Sequence, residues 1–197
     1  MTGAEGGFLT GRILIAMPGI GDPRFERAII YLCAHDEEHA LGLTLNRPVE
    51  GLTMADVLKR LDIPVTIDLP QDLVLIGGPV RRENGFVLHT DDYASPVPEG
   101  TQASTLKIGD GIALTATKDV LEAIASHNRQ PRRAVMALGY AGWGAGQLER
   151  ELKENVWLTC DADETLLFDG DHETKWARAL GKIGINPQHL SGEAGRA

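Results

Sequence analysis

Apolar and polar positions alternate with two different periods along this chain, and the switches between them mark its elements. Arg12 to Ala16 and Ala28 to Cys33 are short, β-branched-rich apolar runs that read as strands. Leu41, Leu43 and Leu45 alternate with Gly42, Thr44 and Asn46, the period of a half-buried strand. From Leu52 to Leu61 the period lengthens. Met54, Val57, Leu58 and Leu61 share one helical face, Thr53 and Asp56 form a capping box, and Pro64 follows the end.

The second half repeats these devices. Leu73 to Ile76 and Phe86 to Leu88 read as strands set off by Gly-Gly-Pro and Glu-Asn-Gly turns. Leu106 and Ile108 mirror Ile112 and Leu114 across Gly109-Asp110-Gly111, which predicts a hairpin. Val120, Leu121 and Ile124 make a second helix capped by Thr117. Ala134 to Leu138 is a strand entering a glycine-rich loop, after which Leu148 and Leu152 begin a third helix with a Glu149–Lys153 pair. Val156 to Cys160 and Leu166 to Phe168 read as strands. Trp176, Leu180 and Ile183 mark a final helix stopped by Gly184 and Pro187. Strands and helices do not alternate regularly, so a doubly wound parallel sheet is disfavoured and mixed α+β is expected.

Composition narrows the class. With 43% hydrophobic and 24% charged residues in 197, the chain is globular rather than disordered. No linker-like stretch and no repeat divides it, so one domain is expected over residues 8–191, with 1–7 and 192–197 as flexible tails. The formal charge of −9 argues against a nucleic-acid partner, whose affinity would need a basic face. Arg81-Arg82 and the stretch from Arg129 to Arg133 are the two short basic candidates, and solvated loop charges account for both. The run Ile13 to Met17 is too short for a signal-peptide core or a membrane span, and two cysteines without C-x-x-C spacing fit a reducing compartment. A cytoplasmic protein without membrane association is expected.

Several motifs carry residue types capable of chemistry. Gly139-Tyr140-Ala141-Gly142-Trp143-Gly144-Ala145-Gly146-Gln147 lies between a strand and a helix, where a backbone can approach a ligand. Ala145 stands where a phosphate-binding loop needs Lys, and Gln147 where a dinucleotide fingerprint needs Gly. A tight, tryptophan-packed turn is the competing reading. His35-Asp36-Glu37-Glu38-His39 spells a zinc-peptidase pattern, which works only on a helix. Flanking strands make these five residues a hairpin connection, so neither metal nor cofactor is expected. Cys33 and His35 could share a strand face, with the histidine activating a nucleophilic thiolate, or Cys33 could simply fill core. Asn46-Arg47-Pro48 ends a strand, where a forked guanidinium grips a carboxylate or phosphate or else holds a loop through backbone carbonyls.

Together these pieces resemble one family. The carrying blocks are Leu14-Ile15-Ala16-Met17-Pro18 with Asp22-Pro23, Phe25 and His35; Gly42 through Asn46-Arg47-Pro48; Gly77-Gly78-Pro79-Val80 with Gly85-Phe86-Val87-Leu88-His89; Gly139-Tyr140-Ala141-Gly142-Trp143-Gly144 with Gly146-Gln147-Leu148-Glu149, Asn155 and Trp157; and Trp176 with Gly184. In this order, from about Leu9 to Ser191, the chain is similar to YqgE/AlgH proteins. His39 departs from that pattern, which has glycine there. The resemblance implies a cytosolic bacterial protein with a strongly bent, barrel-like mixed sheet and about four flanking helices. It implies no reaction, although some members carry the label of transcriptional regulator. The leading expectation is a regulatory or accessory protein that binds a small molecule or a protein partner through His35, Asn46, Arg47, Gly142, Trp143 and Gly144. The alternative is a hydrolase-like enzyme near Cys33/His35 and Asn46/Arg47. Direct DNA recognition ranks third.

Overall fold

The computed structural model describes residues 8–96, 104–126 and 129–190. The expected tails, 1–7 and 192–197, lie outside them, as does Ser191. Ten strands are described: β1 (Arg12–Ala16), β2 (Ile29–His35), β3 (His39–Thr44), β4 (Pro48–Thr53), β5 (Leu73–Ile76), β6 (Val80–Thr90), β7 (Thr105–Gly109), β8 (Ile112–Thr115), β9 (Ala134–Gly144) and β10 (Trp157–Asp161). Five α-helices accompany them: α1 (Met54–Arg60), α2 (Lys118–Ile124), α3 (Gln147–Lys153), α4 (Glu164–Phe168) and α5 (Lys175–Lys182). The main path through the sheet is β10-β1-β2-β3-β9-β6-β8-β7, with β5 joining β4 to β9. Among the described residues, only the β5–β9 pairing is parallel. This is the expected mixed α+β architecture, a sheet curled into a half-barrel.

Both faces of β1 and β2 are covered, which is why they read as unbroken apolar runs. Ile13, Ile15, Ile29, Tyr31 and Cys33 pack with Leu166, Trp176 and Leu180 in one core. The alternate residues Leu14, Ala16, Ile30 and Leu32 pack with Trp143, Leu148 and Trp157 in another. A third core gathers Leu58 of α1 and Val120, Leu121 and Ile124 of α2 over Val74, Val87 and Met136.

The capping box of α1 is present: Thr53 accepts the Asp56 N–H, and Asp56 accepts the Thr53 N–H. Thr117 sits at the α2 N-cap position without a side-chain cap bond. Four expectations need correction. Leu166 to Phe168 is not a strand but the helix α4, started by Asp163, whose carboxylate accepts the Leu166 N–H at 2.8 Å. Glu83-Asn84-Gly85 is no turn; β6 runs through it, with a register shift between Val80 and Gly85. Leu52, placed in the helical stretch, instead lies in β4, while the helix starts after its Thr53 cap as expected.

The glycine-rich segment is the fourth. Gly139 to Gly144 continues β9 instead of leaving it. Its glycines answer a backbone crossing: a Cβ on Gly78 would lie 2.0 Å from the Tyr140 carbonyl carbon, and one on Gly139 would lie 2.6 Å from the Gly78 oxygen. Gly139 also holds a φ of +71°. The β5–β6 connection therefore passes over β9 where no side chain fits.

Candidate functional site

The site begins with the turn between β1 and β2. Asp22 accepts the Arg24 N–H at 3.0 Å and forks with its guanidinium, starting a 3₁₀ turn at Pro23–Phe25. That contact holds the Asp22 carboxyl below its ordinary range. The turn leaves at Arg27, whose φ of +51° is the left-handed conformation. Two residues following β3 hold it there. Asn46 donates to the Arg27 carbonyl at 2.8 Å and accepts the Ile29 N–H at 3.0 Å. Arg47 donates to the Glu26 and Pro23 carbonyls at 2.7 and 3.2 Å.

The opposite wall is α5. Its Trp176 donates Nε1–H to the Ala16 carbonyl at 2.9 Å, which fixes the indole plane. The Arg27 guanidinium rests 5.5 Å from the centre of that ring, in cation–π range. It has no carboxylate or hydrogen-bond partner among the described residues. The buried Nε of Arg47 and the buried Nδ1 of His172 have none either. A cavity of about 720 Å³ opens between these walls, lined by Pro18, Arg27, Asn46, Arg47, His172 and Trp176, with Glu26 and Glu173 also on it.

Burial, and then the Lys175 charge, push the His172 imidazole below its ordinary pKa, which favours a neutral ring. Lys175 lies beneath, fully buried, donating to the Leu45 carbonyl at 3.1 Å. Burial pushes its amine down to about 8.

Of the six residues singled out in the sequence, the structure brings Asn46 and Arg47 to this cleft and none of the other four. Asn46 and Arg47 hold the loop rather than offering their main donors outward. His35 accepts the Leu9 N–H on Nδ1 at 2.9 Å, so its Nε2–H donates to Glu149 at 2.8 Å. Glu149 thus spends its hydrogen bond on β2, and Lys153 acts on it only as a nearby charge. Gly142 and Gly144 are β9 residues opposite Leu41 and His39. Trp143 is 6% exposed and donates to Glu151 at 2.9 Å, so the block belongs to a core rather than to a cleft-facing loop.

Cys33 and His35 do not form a dyad. The thiol donates to the Tyr31 carbonyl at 3.6 Å, burial pushes its pKa up, and both His35 nitrogens are engaged elsewhere. His35 and His39 end and begin two hairpin strands, so the zinc-peptidase pattern has no helix to sit on. Among the described residues, no group of three or more metal-ligating side chains converges.

Arg27, His172 and Trp176 are the cleft residues that sequence patterns passed over. Trp176 was visible as a core position of a helix and as part of the family pattern, and nothing in the spacing pairs it with Arg27, 149 residues away.

The fold and the cleft define an α+β half-barrel with a guanidinium-bearing hollow between the β1–β2 turn and the last helix. The chain belongs to the AlgH-like family, whose model (DUF179) matches residues 13–188. It is 63% identical over 193 residues to a UPF0301 protein of Caulobacter vibrioides, covering 98% of this chain and 96% of that one. The solution structure of the AlgH protein from Pseudomonas aeruginosa matches with a TM-score of 0.70 and 40% identity, covering all of both chains. The crystal structure of protein DIP2367 from Corynebacterium diphtheriae shares the fold, at a TM-score of 0.70 and 19% identity over 92% of this chain and 89% of that one. No helix among the described residues is long and apolar enough to cross a membrane.

Proposed function

We propose that this protein is a receptor of the regulatory or accessory kind, and that it takes a small organic anion into the cleft between Arg27 and Trp176. The observation that carries this reading is the Arg27 guanidinium, laid on the indole with its N–H donors unspent. Stacking fixes the plane of the group before any ligand arrives, so less side-chain entropy is lost on binding. A planar fork of donors matches a carboxylate or phosphate. Arg47 and His172 line the same cleft, each with a buried ring or guanidinium nitrogen that has no partner among the described residues, while Pro18, Trp176 and Leu190 offer an apolar wall. The volume suits a small molecule.

The test is a titration of the full chain with a panel of carboxylates and phosphorylated metabolites. Tryptophan fluorescence and thermal melting are the readouts. A ligand present at 100 times its Kd should stabilise the protein by about 2.7 kcal/mol, which is about 5–10 °C in Tm for a chain of this length. Arg27→Gln should remove the shift without lowering the melting point of the free protein. A panel in which no anion binds, or binds equally to Arg27→Gln, overturns the reading.

A further inference from the structure

A second, larger opening lies on the far side of the Asp169–Thr174 segment, between the strand starts of β5 and β9. It has a volume of about 1090 Å³, beyond the roughly 300–1,000 Å³ of ordinary small-molecule pockets. Its floor is apolar: Met54, Val74, Ile124 and Met136 belong to one core cluster. Its existence follows from strand pairing. β5 meets β9 only at Leu75–Ala137 and Ile76–Leu138, and upstream of these the two strands part.

On its other side β9 pairs with β6, and the Thr90 N–H bonds the Arg133 carbonyl. Antiparallel alternation then turns the peptide groups of Ala134 away from β6, toward the gap, where no strand meets them. The Leu138 carbonyl points the same way and is taken by the Gly77 N–H at 2.8 Å, which confirms the phase.

The rim carries unequal charge. Asp68, Asp72, Asp92 and Asp169 stand against Arg132 and Arg133. Arg132 is spent on Glu164, and Asp169 on Arg178. Asp92 accepts the Thr90 hydroxyl and the Arg132 N–H. Asp68 and Asp72 keep exposed carboxylates with no hydrogen-bond or ion-pair partner among the described residues.

We propose that this groove docks an extended, basic peptide segment of a partner protein. The peptide adds its backbone to the Ala134 edge, alternate apolar side chains rest on the Met54–Met136 floor, and Lys or Arg side chains reach Asp68 and Asp72. The free sheet edge favours a peptide over a small cation, because only a chain can use its N–H and C=O groups. The net charge of −9 likewise favours a basic partner.

The experiment uses the full chain and a labelled hexapeptide of alternating Lys and Val, with a Glu–Val hexapeptide and spermine as comparisons. Fluorescence anisotropy at low salt should give a Kd on the order of 10 µM for the Lys–Val peptide. The double substitution Asp68→Asn, Asp72→Asn should weaken it about tenfold, and the Ala134 amide should become protected from hydrogen exchange on binding. Arg27→Gln should leave this binding unchanged, which separates the groove from the anion cleft. Equal binding of the Glu–Val peptide, no effect of the double substitution, or spermine binding as tightly as the peptide would each overturn the proposal.

Discussion

Asn46 governs the backbone of Arg27: its amide donates to the Arg27 carbonyl at 2.8 Å while its oxygen accepts the Ile29 N–H at 3.0 Å. One side chain thus brackets Ala28 and secures the left-handed residue that aims the guanidinium at Trp176. Replacing Asn46 by Ala leaves both backbone groups without that partner. A loss of about 1–3 kcal/mol in urea melts is expected. Asn46→Asp keeps the acceptor for Ile29 but sets an oxygen against the Arg27 carbonyl, so it should be no milder. In both variants anion affinity should fall with the loop, even though Asn46 need not touch the ligand. Unchanged stability in both would mean the turn is held by Arg47 alone.

Glu151 is the second keystone. Its Oε2 accepts the Trp143 and Trp157 indole N–H groups at 2.9 and 2.7 Å, and its Oε1 accepts the Gln147 amide at 2.9 Å. Glu151→Ala should cost on the order of 3 kcal/mol, because two buried indoles lose their acceptor together. Trp143→Ala should cost about 3–5 kcal/mol, as a buried aromatic deletion does. Neither substitution should alter the charge of the anion cleft. A Trp143→Ala variant with wild-type stability but lost binding would return the glycine-tryptophan block to the functional site.

These two relationships show what the chain's patterns can and cannot disclose. The periods of two and 3.6 marked most elements, because burial on one or two faces writes itself into every second or fourth residue. Phe168 and its neighbours misled because three apolar residues fit either period, and the deciding signal, Asp163 as N-cap, lies upstream. Gly139 to Gly144 misled because glycine signals freedom in a loop and close approach in a sheet alike. The site was half legible. Asn46 and Arg47 stood out as polar residues at a strand end, but which way they turn depends on a loop twenty residues earlier. The stacking of Arg27 on Trp176 is a contact between distant segments, and no local spacing encodes it.

Thiol chemistry offers a direct check on the buried cysteines. Cys33 and Cys160 are each 1% exposed, and burial raises both pKa values. Thiolate is the reactive form, so both should be silent toward an aromatic disulfide reagent in the native protein. Both should react promptly in denaturant. A rapid native reaction at Cys33 would show that β2 opens and would revive a nucleophilic role for it.

Lys175 supplies a pH dependence whose sign can be fixed in advance. Its amine is fully buried, donates to the Leu45 carbonyl, and lies 3.9 Å from Asp169. Burial lowers its pKa to about 8, outweighing the opposing Asp169 charge. In the unfolded chain the value is about 10.4. Between these limits the unfolded state binds more protons than the folded one, so this group makes stability rise with pH. The full effect is about 3 kcal/mol, and below pH 8 it no longer changes. Cys33 works in the opposite sense. Its thiol ionises near 8.5 when unfolded and stays protonated when folded, so its contribution falls as pH climbs. The wild-type curve therefore mixes slopes of both signs, since Cys160, Tyr31 and Tyr93 are raised as well, and the informative quantity is the difference from Lys175→Met, in which those contributions cancel. Between pH 8 and 10.5 the wild type should gain about 3 kcal/mol on Lys175→Met in denaturant melts. Parallel curves would mean that the ammonium is compensated in place, with Asp169 and the Leu45 carbonyl offsetting the cost of burial.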